Sequence, residues 1–246
     1  MRVTVLGGSG AWPVADDACS GFLLTHDGFS LLVDAGYAVL PRLLELMPAE
    51  QLDAVYISHG HPDHCADLNP LLRARALGGA DPEPLPVHAP HGALNAVLAL
   101  DRPGMLDAAV ACHDFEPGAS FSVGPFDLRT ALLPHWVPNA AVRVSAGGHA
   151  VVYTGDGGPH PALVELARGA DALIAEATYP EVMAAGDAPY LSTARQAARQ
   201  ASEAGVGRLV LTHLWPGSEP GEFLDAAAKE YDGRTCVASG GLSFDA

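Results

Sequence analysis

Residues 58–67 read SHGHPDHCAD, and this stretch decides how the chain is interpreted. It places three imidazoles and one carboxylate within six residues, at His59, His61, Asp63 and His64. Neutral imidazole and carboxylate groups are the usual zinc ligands, and the apolar run at residues 54–57 predicts a buried strand directly before them. A loop at the end of that strand can turn His59 and His61 toward one metal, and Asp63 and His64 toward another. The alternative, a group of solvated loop histidines, does not explain this density of ligand-type residues.

The composition favours a folded, acidic protein over a general nucleic-acid binder. The 246 residues include 13 Lys and Arg against 29 Asp and Glu, which gives a formal net charge of −16. Apolar residues make up 49% and charged residues 17%, a balance that predicts a well-filled core. No apolar run approaches the roughly 20 residues of a membrane span, and the first residues lack the core of a signal peptide. We therefore expect a single domain over residues 1–246, a cytoplasmic location and no membrane partner.

Short apolar runs alternate with helical patterns along the chain, which predicts a mixed sheet structure covered by helices. Strands are predicted over residues 3–6, 21–25, 30–33, 54–57, 126–132, 142–144, 150–153, 172–175 and 208–211. Helices are predicted over residues 39–46, 68–76, 92–100, 161–167, 193–204 and 222–231. The proline-rich residues 79–86 are predicted to form a surface loop.

Three further ligand-type residues follow later apolar runs. Asp156 comes after Val-Val-Tyr-Thr-Gly and His213 ends Arg-Leu-Val-Leu-Thr, so each lies where a predicted buried strand emerges. His135 follows Leu-Leu-Pro in the same way. A lone histidine at a strand end is more often a polar surface residue. The presence of the other ligand-type residues in similar positions favours a ligand role for His135 and His213. The remaining histidines have no such partners and are expected to be ordinary surface or loop residues.

The H-x-H-x-D-H run and these later residues resemble the metallo-β-lactamase superfamily. Similar motifs lie at residues 31–36, 133–135, 153–156 and 211–213, so the resemblance extends over nearly the whole chain. It implies an α/β fold, a four-layered αββα sandwich, with a binuclear site of two Zn²⁺ at one edge, manganese and iron being the alternative metals. By this resemblance one metal would be held by His59, His61 and His135 and the other by Asp63, His64 and His213, with Asp156 bridging both. Each metal then has four protein donors and keeps a position for water, which suits a catalytic site.

Within the superfamily, the ribonuclease Z-like branch is the most similar. Residues 134–144, 175–179 and 192–198 resemble its third ligand motif, its glutamate segment and its helix start. The chain departs from that branch in having one lysine, Lys229, and no Gly- and Lys-rich arm to grip RNA. Structured RNA is therefore not the expected partner, since phosphate contacts from Arg and Lys supply most RNA affinity. We expect a small anionic substrate, and similar proteins also suggest a homodimer.

The second departure concerns the proton donor. The branch places a histidine where this chain has Leu191, which cannot donate a proton, and Tyr190 lies beside it. The candidate catalytic residues are therefore Asp63, Glu176 and Tyr190. Glu176 either supports the site by orienting a ligand or transferring a proton, or it is a simple solvated carboxylate. Tyr190 either acts as an acid or only packs beside the pocket.

These features predict a binuclear zinc-dependent hydrolase in which a metal-bridging hydroxide attacks the substrate. The resemblance favours a phosphodiester, and the acidic composition favours a small one, such as a cyclic phosphodiester. The first alternative is a carboxylic ester, lactone or thioester hydrolase that uses the same site. The second is a metal-bound binding protein without catalysis, an option that Leu191 keeps open.

Overall fold

The computed structural model describes residues 1–80 and 82–246, and their strands form two stacked sheets. In the described residues the first sheet contains β1 (Arg2–Ser9), β2 (Ala18–Cys19), β3 (Gly21–His26), β4 (Phe29–Val33), β5 (Ala54–Tyr56), β6 (Leu85–Pro90), β7 (Val110–Phe115) and β15 (Ser243–Asp245). Its order is β15-β1-β3-β4-β5-β6-β7, with β2 paired to β1. Strands β4 to β7 run parallel, so the chain leaves β4 and β5 at the same edge.

The second sheet repeats this arrangement. Within the described part of the chain it contains β8 (Ser120–Val123), β9 (Phe126–Leu133), β10 (Asn139–Ala146), β11 (His149–Tyr153), β12 (Ala172–Glu176), β13 (Arg208–Thr212) and β14 (Arg234–Val237). The strand order is β14-β13-β12-β11-β10-β9-β8, and β11 to β14 run parallel. The carboxyl ends of β11, β12 and β13 therefore open at one edge, as the ends of β4 and β5 do.

Helices cover the outer face of each sheet. Those described are α1 (Val39–Leu44), α2 (Pro62–Cys65), α3 (Leu68–Leu77), α4 (Asn95–Leu98), α5 (Pro161–Ala167), α6 (Ala194–Ala204) and α7 (Pro220–Ala227). Thr193 caps α6 and exchanges hydrogen bonds with Gln196, which confirms the predicted helix start at residue 193. In the residues that the structure covers, no helix combines the length and the apolar character needed to cross a bilayer.

The layers follow from the alternation of side chains along the strands. On β3, Phe22 and Leu24 enter the core between the two sheets, whereas Leu23 packs outward with residues of α1 and α3. On β12, Ile174 lies in the central core and Leu173 packs outward with α5, α6 and α7. The described residues thus form a helix, sheet, sheet and helix stack, which confirms the predicted αββα sandwich.

Differences from the predicted elements occur mainly at the sheet edges. The predicted strands are all present, but β2, β6, β7, β8, β14 and β15 were not predicted. The predicted loop over residues 79–86 is wrong at its end, since Leu85 begins β6, and its Asp81 lies outside the described residues. Edge strands such as β7 are largely exposed and carry little apolar pattern. Two predicted helices are also wrong in their limits, because α4 ends before residue 100 and α7 begins at Pro220 and ends at Ala227.

A hydrogen bond between the sheets gives a test of this packing. The hydroxyl of Tyr56 on β5 donates to the carbonyl oxygen of Ala140 on β10 at 2.9 Å, and both residues are fully buried. We expect Tyr56→Phe to lower the free energy of unfolding by about 1–2 kcal/mol, because a buried acceptor loses its donor. Urea denaturation measures this, with Tyr37→Phe as the exposed control. Equal stability of Tyr56→Phe and the unmodified protein would contradict the role of this bond.

Candidate metal centre

The ends of strands from both sheets bring the seven predicted ligand residues together at one edge. The loop and helix after β5 supply four of them, and the segments after β9, β11 and β13 supply the others. They form two sets whose ligand atoms lie within 4.8 Å of one another. The first set is His59, His61, His135 and Asp156, and the second is Asp63, His64, Asp156 and His213.

In the first set, the Nδ1 atom of His61 lies 3.1 Å from Nε2 of both His59 and His135. Asp156 Oδ2 lies 3.8 Å from the same two Nε2 atoms. Donor atoms about 2.0–2.2 Å from a tetrahedral metal stand about 3.3–3.5 Å apart, so these separations suit one divalent ion.

The second set has similar separations. His213 Nε2 lies 3.2 Å from Asp63 Oδ2 and 3.3 Å from Asp156 Oδ2. His64 Nε2 lies 3.3 Å from Asp156 Oδ1, and among the described residues neither of these two buried atoms makes a hydrogen bond. Buried polar atoms without partners are costly, and a bound cation would give both of them one. The residues present therefore fit two divalent metals that share Asp156.

Oxygen atoms behind the imidazoles set the direction of each ring. His59, His64, His135 and His213 each place Nδ1 against an oxygen, which assigns the proton to Nδ1 and leaves the Nε2 lone pair for the shared centre. His61 is the exception, since it turns Nδ1 toward the cluster. The four oxygen partners, in the same order, are Ser58 Oγ at 3.0 Å, Asp34 Oδ2 at 2.7 Å, the Tyr190 carbonyl at 3.0 Å and Thr178 Oγ1 at 3.0 Å.

Asp34 is the supporting residue with the most partners. Besides His64, its carboxylate accepts hydrogen bonds from the amide and the hydroxyl of Ser58, each at 2.7 Å. The Tyr153 hydroxyl of the second sheet donates to it at 2.8 Å. Asp34 is fully buried and has a left-handed backbone (φ 59°). The sequence predicted Asp34 only as part of the motif at residues 31–36. Its position directly after the buried strand β4 could have identified it as a site residue.

Two glycines allow the loops to close on the site. Gly155 has φ 59°, and a Cβ atom there would overlap the side-chain oxygen of Asn139. Asn139 in turn hydrogen-bonds the backbone of Asp156 and so fixes the residue whose carboxylate the two sets share. A Cβ atom on Gly36 would overlap the carbonyl oxygen of Asp63. Both positions therefore require the close backbone approach that glycine permits.

Burial and charge divide the histidines into two groups. Burial lowers the pKa of His59, His61 and His135, which keeps these rings neutral and able to bind a metal. Burial also opposes the charged forms of His64 and His213, but the carboxylates of Asp156 and Asp63 outweigh it and raise both pKa values. Negative charge is thus concentrated at the second set, where a cation would be stabilised most.

Glu176 lies behind the cluster. Its Oε1 atom accepts a hydrogen bond from the Thr178 amide at 3.0 Å and another from the Thr178 hydroxyl, and Oε2 accepts from the Ser192 amide at 2.6 Å. Burial, and then the negative charge of Asp156, raise the pKa of Glu176 to about 8. Because Thr178 also contacts His213 Nδ1, Glu176 reaches the cluster through that hydroxyl and is placed to orient His213.

The segment that contains the predicted proton donor, residues 190–191, also supports the cluster through its backbone. The Tyr190 carbonyl holds His135, and the Tyr190 ring packs against Trp136 with ring centroids 5.2 Å apart. Leu191 lines the cavity over the cluster, as its alignment with the family histidine implies. Arg195 and Arg199 do not line it, since both pair with Glu230.

The cavity over the cluster has a volume of about 400 Å³, within the range of small-ligand sites. In the described part of the chain no Lys or Arg lines it. Three of the residues that line it, Tyr179, Asp187 and Trp215, belong to no ligand motif and were not predicted. The lining residues are Ala11, His61, Pro62, Asp63, His135, Trp136, Asp156, Thr178, Tyr179, Asp187, Leu191, His213 and Trp215.

Comparison with known proteins places the chain in a family. Residues 30–214 match the model of the Beta-lactamase superfamily domain. The probable metallo-hydrolase YhfI of Bacillus subtilis is 33% identical over 248 residues, covering 100% of both chains, and its crystal structure covers 99% of each with a TM-score of 0.90. Ribonuclease Z of Mycobacterium bovis is 30% identical over 268 residues, covering 97% of this chain and 96% of that protein.

A more distant solved structure shares the fold. The short form of human tRNase Z has a TM-score of 0.80 at 22% identity, and the match covers 100% of this chain and 99% of that one. The chain therefore belongs to the metallo-β-lactamase superfamily, as the motifs at residues 58–67, 153–156 and 211–213 predict.

Proposed function

We propose that the protein is a metal-dependent hydrolase that holds two divalent ions, with zinc as the expected metal, and cleaves small phosphodiesters such as cyclic ones. The observation that supports this most is the pair of four-donor sets that share Asp156 and open onto one cavity. The names of the similar proteins, a probable metallo-hydrolase and a ribonuclease Z, support hydrolysis and a phosphodiester.

A divalent metal held by such a set supplies a Lewis acid and lowers the pKa of water toward neutrality. The chain's own residues provide the rest. Asp63 faces the cavity, and its Oδ2 atom is fixed by the amide of Ala11 at 3.0 Å. Burial alone would raise the pKa of Asp63, but the charge of His64 and the hydrogen bond with His213 keep it below its usual value. Asp63 is thus an anion that can accept a proton from an attacking water.

The leaving group needs a proton, and Tyr190 is our candidate donor. Among the described residues, none makes a hydrogen bond with its hydroxyl, and its ring packs against Trp136, which lines the cavity. The Tyr179 hydroxyl, which belongs to a residue that lines the cavity itself, already donates to Asp187 at 3.1 Å. Tyr190 is therefore the nearby phenol whose hydroxyl has no competing partner in the described residues.

Charge favours a small diester over structured RNA. The formal net charge is −16, and the single lysine, Lys229, pairs with Glu181. With no Lys or Arg among the described residues at the cavity, the two metals would supply most of the positive charge that the substrate meets. One phosphodiester anion suits this arrangement better than the many phosphates of RNA. Similarity to ribonuclease Z nevertheless makes precursor tRNA the second candidate substrate.

Parallel assays separate these candidates. With zinc or manganese, we expect turnover of bis(p-nitrophenyl) phosphate and of cyclic nucleotides. We expect precursor tRNA cleavage at about 0.15 M salt to be at least about a hundredfold slower than by a ribonuclease Z assayed beside it, because the surface repels RNA. Efficient tRNA processing would reverse the choice of substrate. Hydrolysis of esters, lactones or thioesters alone would favour the first alternative, and metal binding without any hydrolysis would favour a binding protein.

The support of His64 by Asp34 gives a test of the metal site itself. We expect about two metals per chain, and Asp34→Asn should weaken metal affinity roughly tenfold to a hundredfold, since the ring of His64 loses its anionic partner. Elemental analysis during chelator titration measures this. Asp53→Asn is the matched control, because Asp53 binds Ser30 away from the cluster. Identical chelator midpoints for all three proteins would show that Asp34 does not support metal binding.

The role of Tyr190 is tested by varying the leaving group. We expect Tyr190→Phe to lower turnover roughly a hundredfold for poor leaving groups and to leave nitrophenyl substrates nearly unchanged, because nitrophenolate departs without a proton. The backbone carbonyl that holds His135 remains in this variant, so metal content should not change. Tyr179→Phe is the comparison, with an expected loss below about tenfold. A loss in Glu176→Gln with none in Tyr190→Phe would move the acid role to Glu176.

A further inference from the structure

All three tryptophans of the chain are exposed, and two of them line the cavity. Trp12, Trp136 and Trp215 are 46%, 53% and 42% exposed, respectively. Tryptophan is highly buried on average, and exposed aromatic side chains are enriched where proteins bind their ligands. Trp136 and Trp215 line one opening and Trp12 packs against Trp215, which indicates a binding surface.

The tryptophans are held in two aromatic pairs, one beside each metal set. Trp12 packs edge-on against Trp215, with ring centroids 5.1 Å apart. This pair adjoins the second set, since the neighbouring Ala11 amide binds Asp63. The other pair is Trp136 and Tyr190, and the Trp136 ring lies 5.0 Å from that of His135 in the first set. The metal centre is thus flanked by flat rings whose partners fix their orientation.

The charges around these rings restrict what they can bind. In the residues described, the cavity has carboxylates from Asp63, Asp156 and Asp187 but no Lys or Arg. A ligand arm beside the tryptophans therefore gains by being flat and uncharged, and loses if it carries a further phosphate. The ligand can therefore carry negative charge at low free-energy cost only on the group that lies at the metal centre.

We propose that the two pairs form an aromatic subsite, and that the substrate is a singly charged phosphodiester with a flat aromatic group, such as a nucleobase, on an ester arm. This rests on the proposed function, since it names the substrate class of the same site. Stacking between such a group and an aromatic side chain contributes roughly 1–3 kcal/mol per base in single-stranded nucleic-acid complexes. The proposal assigns selectivity to Trp136 and Trp215, which line the cavity and are not among the candidate metal ligands.

Two competing ligands that differ in their arms test the proposal. The metal-loaded protein hydrolyses p-nitrophenyl methyl phosphate while diphenyl phosphate or dimethyl phosphate competes for the site. We expect Trp136→Ala and Trp215→Ala to raise the inhibition constant of diphenyl phosphate by about tenfold, and to leave that of dimethyl phosphate within about twofold. Trp136→Phe should restore most of the affinity, and Leu100→Ala, an exposed apolar residue outside the cavity, is the control.

The outcomes are distinct for the two levels of proposal. An equal rise in both inhibition constants, or no rise in either, in the tryptophan variants overturns the aromatic subsite while the hydrolase remains. Failure of the unmodified protein to hydrolyse p-nitrophenyl methyl phosphate overturns the phosphodiesterase instead. Binding is then measured separately by tryptophan fluorescence, to which Trp12, Trp136 and Trp215 contribute. Quenching by diphenyl phosphate but not by dimethyl phosphate supports the subsite, and equal responses to both refute it.

Discussion

The buried carboxylate of Asp34 joins β4, the loop after β5 and β11 of the opposite sheet through hydrogen bonds with Ser58, His64 and Tyr153. It therefore sets the distance between the two sheets at the point where the metal site lies. The same principle extends to the other rings, because an oxygen behind Nδ1 decides where Nε2 points. An arrangement of five imidazoles around two carboxylates is costly to build without such supports, since each ring must lose its rotational freedom.

The sequence identified site residues best where several ligand-type side chains are neighbours in the chain, or where a buried strand ends. Residues 58–67 identify one half of the site because their donors are neighbours in the chain. Asp156 and His213 could be found because parallel strands place their carboxyl ends at one edge. Asp34 could not be paired with Tyr153, which lies 119 residues away, without knowing how the sheets stack. The Tyr190 carbonyl has no side-chain signature at all, so its support of His135 was invisible before the fold was known.

The acidic character of the protein and the chemistry of the site are largely separate. Of the few basic side chains, Arg195, Arg199 and Lys229 are taken up by ion pairs with Glu181 and Glu230 on the helical face. Exposed pairs of this kind contribute little stability, but they remove positive charge from any role in substrate capture. Under the proposed function, recognition at the cavity would rest on metals, aromatic rings and shape, and such a site would be less sensitive to salt than a basic groove.

The division of the donor set between the two sheets has a consequence for biosynthesis. A nascent chain that has emerged as far as β5 and its loop carries His59, His61, Asp63 and His64 but lacks the shared carboxylate. Neither set is complete until Asp156, and for the second set His213, has been made and its strand has joined the sheet. Under the proposed function, metal uptake would be coupled to the joining of the second sheet's strands, and bound ions would favour the docked over the separated sheets.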